Sequence, residues 1–180
     1  SGPDVATVWG LIMTDAALTK EDLQRLTQGA ADQSFNCISV EGHTSTNDTL
    51  LTVASGAAGG ALIRNDELAQ FETALTEVCI ELARMIPADG EGASHMITID
   101  VTGCENRAAA RRIAQTIADS PLVKTAITGG DPNWGRIVSA VGYADVPFEG
   151  SKLTLSVNGF PLYADAEPLD FDEAAVSQSI

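Results

Sequence analysis

Residues 5–16 have the sequence VATVWGLIMTDA, and the rest of the chain is organised around this stretch. An apolar run follows the small residue Ala6 and the hydroxyl residue Thr7, and it ends in the polar pair Thr14-Asp15. Such a run predicts a buried strand followed by a turn. The same residues also permit chemistry, because the Thr7 hydroxyl could attack the carbonyl of Ala6, cut the chain and free its own α-amine. A threonine with a free amine carries a nucleophile and a base in one residue.

Composition and charge narrow the class of protein. The chain has 180 residues, of which 44% are hydrophobic, which is enough for a packed core in one large or two small domains. The formal net charge of −15 argues against nucleic-acid binding, because an acidic surface repels phosphates. No apolar stretch reaches the length of a membrane span, and the start of the chain lacks the features of a signal peptide. We therefore expect no membrane association.

The cysteines and histidines predict neither a metal ion nor a cofactor. Cys37, Cys79 and Cys104 lie far apart and form no CxxC pair, so a zinc site or redox motif is not expected. His43 and His95 have no cysteine or histidine at ligand spacing. The simplest compartment for three scattered cysteines is the reducing cytoplasm.

Strand and helix signals alternate along the chain, which predicts an α/β or α+β fold. Residues 19–22 resemble a capping box and predict a helix that ends near Gln33. Asn65 is the predicted cap of a second helix. The apolar face of that helix comprises Leu68, Phe71, Leu75, Val78, Leu82 and Met85. Strands are predicted over residues 35–40, 50–54 and 97–101.

The second half of the chain carries further start and turn signals. Ser120-Pro121 and Asp131-Pro132 each place a capping residue before a proline, as at a helix start. Asn158-Gly159 is the strongest hairpin signal in the chain. Asp172 is the predicted beginning of a last helix.

Three polar segments are candidates for a site near Thr7. Residues 45–49 read STNDT, and their side chains can complete a turn or a strand end, or form a polar wall beside a buried site. Glu91 stands between two glycines, where the backbone can approach a ligand closely, although a loop glutamate in solvent is the usual case. Residues 131–136 read DPNWGR; a helix start explains the first two, and the others fit packing or the edge of a site.

In this order, these segments resemble the glutamate N-acetyltransferase, or ornithine acetyltransferase, family of arginine biosynthesis. The matching text is AT at 6–7, TDA at 14–16, STNDT at 45–49, ASG at 54–56, EG at 91–92, SPLVKTA at 120–126 and DPNWGRI at 131–137. The resemblance covers nearly the whole chain, and STNDT and DPNWGR together are highly specific.

The resemblance implies a precursor that cuts itself between Ala6 and Thr7 into α and β chains, so that residues 1–6 would end the α chain. It implies acetyl transfer from N-acetylornithine to glutamate through an acetyl-threonine at Thr7, with acetyl-CoA as a further donor in some members. Glu91 matches a substrate-binding glutamate of the β chain. The implied partner is the α chain of the same precursor, in a hetero-oligomer of α and β chains.

The resemblance also implies a layered α/β/β/α arrangement, to which residues 1–95 would belong, followed by a smaller α/β domain over residues 96–180. The chain stops at Ile180, before a family segment that carries further substrate-binding residues. The α chain, with its oxyanion-hole Thr-Gly pair and a substrate-binding lysine, is also outside this sequence. Two alternatives stay open: a hydrolase of the related self-cleaving aminopeptidase type, and a non-catalytic fragment or interaction subunit.

Overall fold

The computed structural model describes residues 8–40, 42 and 46–180, and the chain divides into two compact units. The described residues of the first unit are 8–38 and 46–93. Those of the second unit are 39, 40, 42 and 94–180. The assignment of residues 1–95 to the catalytic layers and of 96–180 to a smaller domain stays a prediction.

The first unit is a two-stranded parallel sheet with two helices on one face. Strand β1 (Trp9–Thr14) pairs with β2 (Thr49–Ala54), in a register that sets Trp9 opposite Thr49. Helices α1 (Lys20–Gln33) and α2 (Asn65–Ala88) pack on the inner face of this sheet. The buried core of the unit comprises Ile12, Leu26, Ala30, Leu75 and Cys79. The strand predicted over residues 50–54 is confirmed as β2.

Helix α1 begins and ends at polar side chains. The Asp22 amide donates to Thr19 Oγ1 at 3.0 Å, which confirms the predicted cap. At the other end, Ser34 Oγ donates back to the Ala30 carbonyl at 2.6 Å. The strand predicted over residues 35–40 is wrong: Phe35–Cys37 form a 3₁₀ turn, and the Phe35 ring packs against the core. Burial of that ring close to the end of α1 favours a tight turn over an extended segment.

Helix α2 differs from its prediction at its start. Asn65 is its first residue, with φ of 50°, whereas Arg64 occupies the cap position without a side-chain hydrogen bond. The helix also continues through Pro87 to Ala88. On the predicted apolar face, Leu75 is buried and Leu68, Phe71 and Leu82 pack against the core. Val78 and Met85 are exposed to 48% and 60%, so the buried stripe is narrower than the sequence pattern.

The second unit consists of helices followed by a small antiparallel sheet. Its elements are α3 (Arg107–Asp119), α4 (Pro121–Thr128), α5 (Trp134–Gly142), β3 (Leu155–Val157), β4 (Phe160–Ala164), β5 (Glu167–Pro168) and α6 (Glu173–Ser179). The strands follow the order β3-β4-β5. The buried core comprises Ile113, Ile117, Val123, Ala140, Val141 and Ala144.

The strand predicted over residues 97–101 does not pair with any described strand. Ile99 and Val101 pack against the helical core, while Asp100 is exposed. The predicted alternation therefore holds for Ile99, Asp100 and Val101, but not for Ile97, which is 40% exposed. A sheet also needs a neighbouring backbone to pair with, and sequence alternation does not reveal one.

One predicted helix start is confirmed and another is wrong. The Val123 amide donates to Ser120 Oγ at 3.4 Å, so Ser120 caps α4 as predicted. Helix α5 begins at Trp134, after the cap Asn133, instead of at Asp131-Pro132. The Asp131 amide donates to the Ala126 carbonyl at 2.9 Å, and this bond makes Asp131 part of the closing turn of α4.

The hairpin and the last helix follow their sequence signals. Asn158 and Gly159 both have positive φ, 47° and 85°, as the predicted turn between β3 and β4 requires. Asp172 Oδ1 accepts the amides of Ala174 and Ala175, each at 3.0 Å, and caps α6. The mixed α/β class is confirmed. In the part of the chain that the structure describes, every helix is too short or too polar to cross a lipid bilayer.

A short connection, residues 39, 40 and 42, belongs to the second unit although both its neighbours along the chain belong to the first. The Ser39 hydroxyl donates to the Asp119 carboxylate at the end of α3. Lys124 of α4 donates from Nζ to the Val40 carbonyl. A Cβ atom on Gly42 would lie 3.3 Å from Cγ of Asp119, so the backbone passes close to that side chain.

Candidate active site

The amino end of β1, the strand that follows Thr7 in sequence, is hydrogen-bonded to the segment before β2. The Val8 amide donates to Asp48 Oδ1 at 2.8 Å. The Val8 carbonyl accepts the Thr49 amide at 2.9 Å. Both backbone polar groups of Val8 are therefore paired with residues 48 and 49. Ala6 and Thr7 themselves, and Ser45 of the STNDT segment, lie outside the described residues, so their predicted roles stay predictions.

Parallel pairing explains why these two segments meet. In a parallel sheet the entrances of neighbouring strands lie at the same edge, and β1 and β2 are neighbours with residues 9 and 49 in register. The second half of STNDT is thus beside the residue that follows the predicted nucleophile. The sequence gives only a weak indication of this contact. AT and STNDT each directly precede an apolar run, but the sequence does not show that the two predicted strands pair with each other.

The carboxyl ends of β1 and β2 are also joined by backbone hydrogen bonds. The Ser55 amide donates to the Thr14 carbonyl at 3.0 Å, and the Ala58 amide donates to the Asp15 carbonyl at 3.0 Å. Thr14 Oγ1 accepts the Ala16 amide at 3.2 Å and completes the turn after β1. The TDA and ASG segments are therefore one contiguous feature that closes the carboxyl end of the strand pair.

The end of the Leu50 side chain occupies the space where a side chain at Gly10 would begin. A Cβ atom there would lie 2.7 Å from Cδ1 of Leu50 on β2. Gly10 thereby allows the two strands to approach while Leu50 fills the space above it. The position of the strand entrance depends on this packing as well as on the hydrogen bonds of Val8.

Cys79 is the most buried nucleophilic side chain of the first unit, at 0% exposure on α2. Burial raises the pKa of its thiol, and a hydrogen bond with Ser34 opposes this shift only in part. The nucleophilic form of cysteine is the thiolate. Cys79 therefore stays protonated near neutral pH and serves the core.

Glu91 lies in the exposed turn that follows α2. The turn is closed by a hydrogen bond from the Ala93 amide to the Gly90 carbonyl at 3.0 Å, and Gly92 has φ of 72°. The Glu91 carboxylate has no hydrogen bond or ion pair with another described residue. It is therefore available to a cationic ligand, and it lies at the end of α2 rather than at the strand entrances.

The DPNWGR segment is occupied by packing in the second unit. Asn133 Oδ1 accepts the Arg136 amide at 3.2 Å. The Trp134 ring stacks on Tyr163 with 5.3 Å between centroids and 25° between planes. Arg136 Nη1 donates to the Leu122 carbonyl at 2.9 Å, which joins α5 to α4. Each of these side chains has a structural partner, so packing accounts for the segment.

The second unit also contains a cavity of about 1310 Å³ between residues 94–106 and residues 145–158. None of the predicted site residues lines it. No group of three or more histidine, cysteine, aspartate or glutamate side chains in the described ranges is arranged to hold a metal ion.

Comparison with known proteins gives a consistent result along the whole chain. The model of the ArgJ family matches residues 1–180. Arginine biosynthesis bifunctional protein ArgJ of Rhodopirellula baltica is 44% identical over 181 residues, an alignment that covers 99% of this chain and 44% of the relative. The protein of the same name from Thermosynechococcus vestitus is 45% identical over 175 residues, covering 96% of this chain and 42% of the relative. The chain thus spans less than half the length of these curated relatives.

A solved structure is similar throughout. The crystal structure of arginine biosynthesis bifunctional protein ArgJ from Bacillus halodurans superposes with a TM-score of 0.91 at 35% identity. The match covers 95% of this chain and 81% of that one.

Proposed function

The chain belongs to the ArgJ family, and on that premise we propose that it is the nucleophile-bearing part of an acetyltransferase of arginine biosynthesis. The observation that carries the proposal is the double pairing of Val8, which holds the entrance of β1 directly after Thr7. The residue that follows the nucleophile is therefore held at the edge of a packed sheet. The donor is N-acetylornithine and the acceptor is glutamate.

The proposed reaction begins at the bond between Ala6 and Thr7. The Ala6 acyl group shifts from the Thr7 nitrogen to Thr7 Oγ, and water hydrolyses the resulting ester, which leaves a carboxylate on Ala6 and frees the hydroxyl and the α-amine of Thr7. An amide nitrogen has no basic lone pair, so the uncut chain lacks its base. A free α-amine has a reference pKa of about 7.7–8.0, close enough to neutral pH for general-base work. The amine takes the proton of the Thr7 hydroxyl as Oγ attacks the acetyl carbonyl of N-acetylornithine.

Collapse of the tetrahedral intermediate breaks the amide bond. Ornithine leaves with the proton on its amine, and the acetyl group stays on Thr7 Oγ as an ester. The amine of glutamate then attacks this ester, N-acetylglutamate forms, and the Thr7 hydroxyl regains its proton. The carboxylate of Glu91, which has no partner among the residues that the structure describes, binds the cationic side-chain amine of ornithine.

The partner of this chain is the α chain of the same precursor, and the outer face of the sheet supports this part of the proposal. Its five exposed apolar side chains are Trp9, Leu11, Met13, Leu51 and Val53, with exposures between 45% and 78%. Burial of one such side chain stabilises a protein by about 1.5–3 kcal/mol. A face of five is therefore a strong driving force for a second apolar layer, as a layered α/β/β/α arrangement provides.

The proposed reaction can take place in a reducing or in an oxidising compartment. The cysteines favour a reducing one. Cys37, Cys79 and Cys104 are all free. We accordingly assign the enzyme to the cytoplasm.

The test is an intact-mass measurement on the protein expressed together with its α-chain segment. Before substrate, the wild type should contain a polypeptide that begins at Thr7, whereas Thr7→Ala should stay uncut. After N-acetylornithine, the Thr7 polypeptide should gain one acetyl group, and glutamate should remove it. Acetyl-CoA in place of N-acetylornithine tests the second donor.

Three outcomes would contradict the proposal in different ways. Loss of the acetyl group to water at the same rate without glutamate would indicate a hydrolase. Acetylation on a lysine would remove Thr7 from the mechanism. Absence of cleavage and of acetyl transfer in the joined protein would indicate a non-catalytic subunit.

A further inference from the structure

The contact between Asp48 and Val8 joins residues that are 40 positions apart. Aspartate side chains before a strand or helix usually bond to the backbone two or three residues later in their own segment. Asp48 instead reaches across to the neighbouring strand. Its Oδ1 accepts the Val8 amide at 2.8 Å, a distance typical of a hydrogen bond to a charged acceptor.

The position of this bond matters because of what Val8 is attached to. A peptide unit is planar, so the Val8 nitrogen and its hydrogen lie in one plane with the carbonyl and Cα of Thr7. A hydrogen bond to the Val8 N–H group therefore restrains that plane. The Val8 carbonyl accepts the Thr49 amide at 2.9 Å, so Val8 is held on both sides.

We propose that Asp48 is a positioning residue for the Thr7 nucleophile, whose attachment to the strand it holds in place through the amide of Val8. This inference rests on the proposed role of Thr7. Asp48 does not touch the substrate; it restrains the peptide plane that includes the Thr7 Cα atom, to which the hydroxyl-bearing side chain and the α-amine are bonded. A displacement of about 1 Å in a reacting group can reduce a rate by about 100-fold, so such an anchor affects turnover more than binding.

The simpler alternative is that Asp48 only closes the end of the β1–β2 ladder. That role would affect the melting temperature but not the turnover of molecules that are folded and cut. Asp48→Asn and Asp48→Ala separate the two. The asparagine keeps an oxygen that accepts the Val8 amide, whereas the alanine removes the acceptor.

The experiment uses the protein joined with its α-chain segment, and rates are normalised to the cut fraction measured by intact mass. Asp48→Ala should lower kcat by about 100-fold with KM changed less than about threefold. Asp48→Asn should restore kcat to at least about a third of the wild-type value. Asp66→Ala, which removes an exposed carboxylate from the first turn of α2, is the matched control and should keep wild-type kcat.

Wild-type kcat in the cut Asp48→Ala protein would overturn the proposal whatever its melting temperature. So would an asparagine variant no better than the alanine one, because the Val8 bond would then not be what matters. The wild-type protein tests the proposed function separately. If N-acetylornithine leaves no acetyl group on its Thr7, the proposed mechanism is wrong whatever the Asp48 variants do.

Discussion

Substitution of Gly10 by alanine sets two opposing effects against each other. The added Cβ would lie 2.7 Å from Cδ1 of Leu50, 3.7 Å from Cζ of Phe35 and 3.9 Å from Cα of Leu50. The shortest of these distances requires a shift of the Leu50 side chain within the core. Such overpacking costs about 1–3 kcal/mol. Gly10 does not have positive φ, so alanine also gains about 0.5–1 kcal/mol from the reduced entropy of the unfolded chain.

At the centres of the two ranges the overpacking cost of about 2 kcal/mol exceeds the gain of about 0.75 kcal/mol, and we expect Gly10→Ala to lose about 1 kcal/mol. For a chain of this size, 1 kcal/mol shifts Tm by about 2–4 °C, so Tm should fall by about that amount in a calorimetric scan. Leu50→Val removes the colliding methyl group. The double variant should therefore lose less free energy of unfolding than the two single variants lose in sum.

Gly29→Ala is the matched control. A Cβ at Gly29 meets nothing within 4 Å, and the residue lies inside α1. The same substitution should there raise stability by about 0.5–1 kcal/mol. A Gly10→Ala protein that melts at or above the wild type, or losses at Gly10 and Leu50 that simply add, would refute the packing explanation of this glycine.

Three further predictions concern other residues. Glu91→Gln should lower kcat/KM by at least about tenfold while self-cleavage continues, because a charged hydrogen bond contributes about 1.5–3 kcal/mol. Asp89→Asn, in the same turn, is the control. Equal kcat/KM in the two variants would mean that Glu91 is an ordinary loop carboxylate. Iodoacetamide should label exposed Cys37 first and leave Cys79 unmodified in the folded chain at pH 7, since burial raises the pKa of the Cys79 thiol; equal labelling rates, read by peptide mass, would contradict its burial. A double-mutant cycle of Trp134→Leu and Tyr163→Leu should give a coupling free energy of about 0.5–1.5 kcal/mol, and additive losses would mean that the stacked rings do not interact.

Local signals in the sequence predicted those elements whose ends are set by nearby side chains. Thr19, Ser120 and Asp172 act as caps within three residues of themselves, and Asn158-Gly159 needs only its own backbone to turn. Such features depend on a few adjacent residues, so a pattern of residue types is sufficient to find them.

Some errors occurred where distant contacts decided the local structure. Phe35 turns because its ring joins the core. The pairing of Val8 with Asp48 has the same origin, since it exists only because β1 and β2 are parallel neighbours. Tertiary pairing is not encoded in any short window, so this part of the candidate site could not be predicted.

The connection at residues 39, 40 and 42 limits how this protein can be divided into separate fragments or recombined with a relative. A fragment of residues 94–180 would contain every helix of the second unit but would lose the partners of Asp119 and Lys124. A fragment of residues 1–93 would carry those partners with nothing to bind. Exchange of the units between relatives therefore requires two cuts, one on each side of residues 39–42, in addition to the cut near residue 93. A single crossover at that later point would separate a donor from its acceptor.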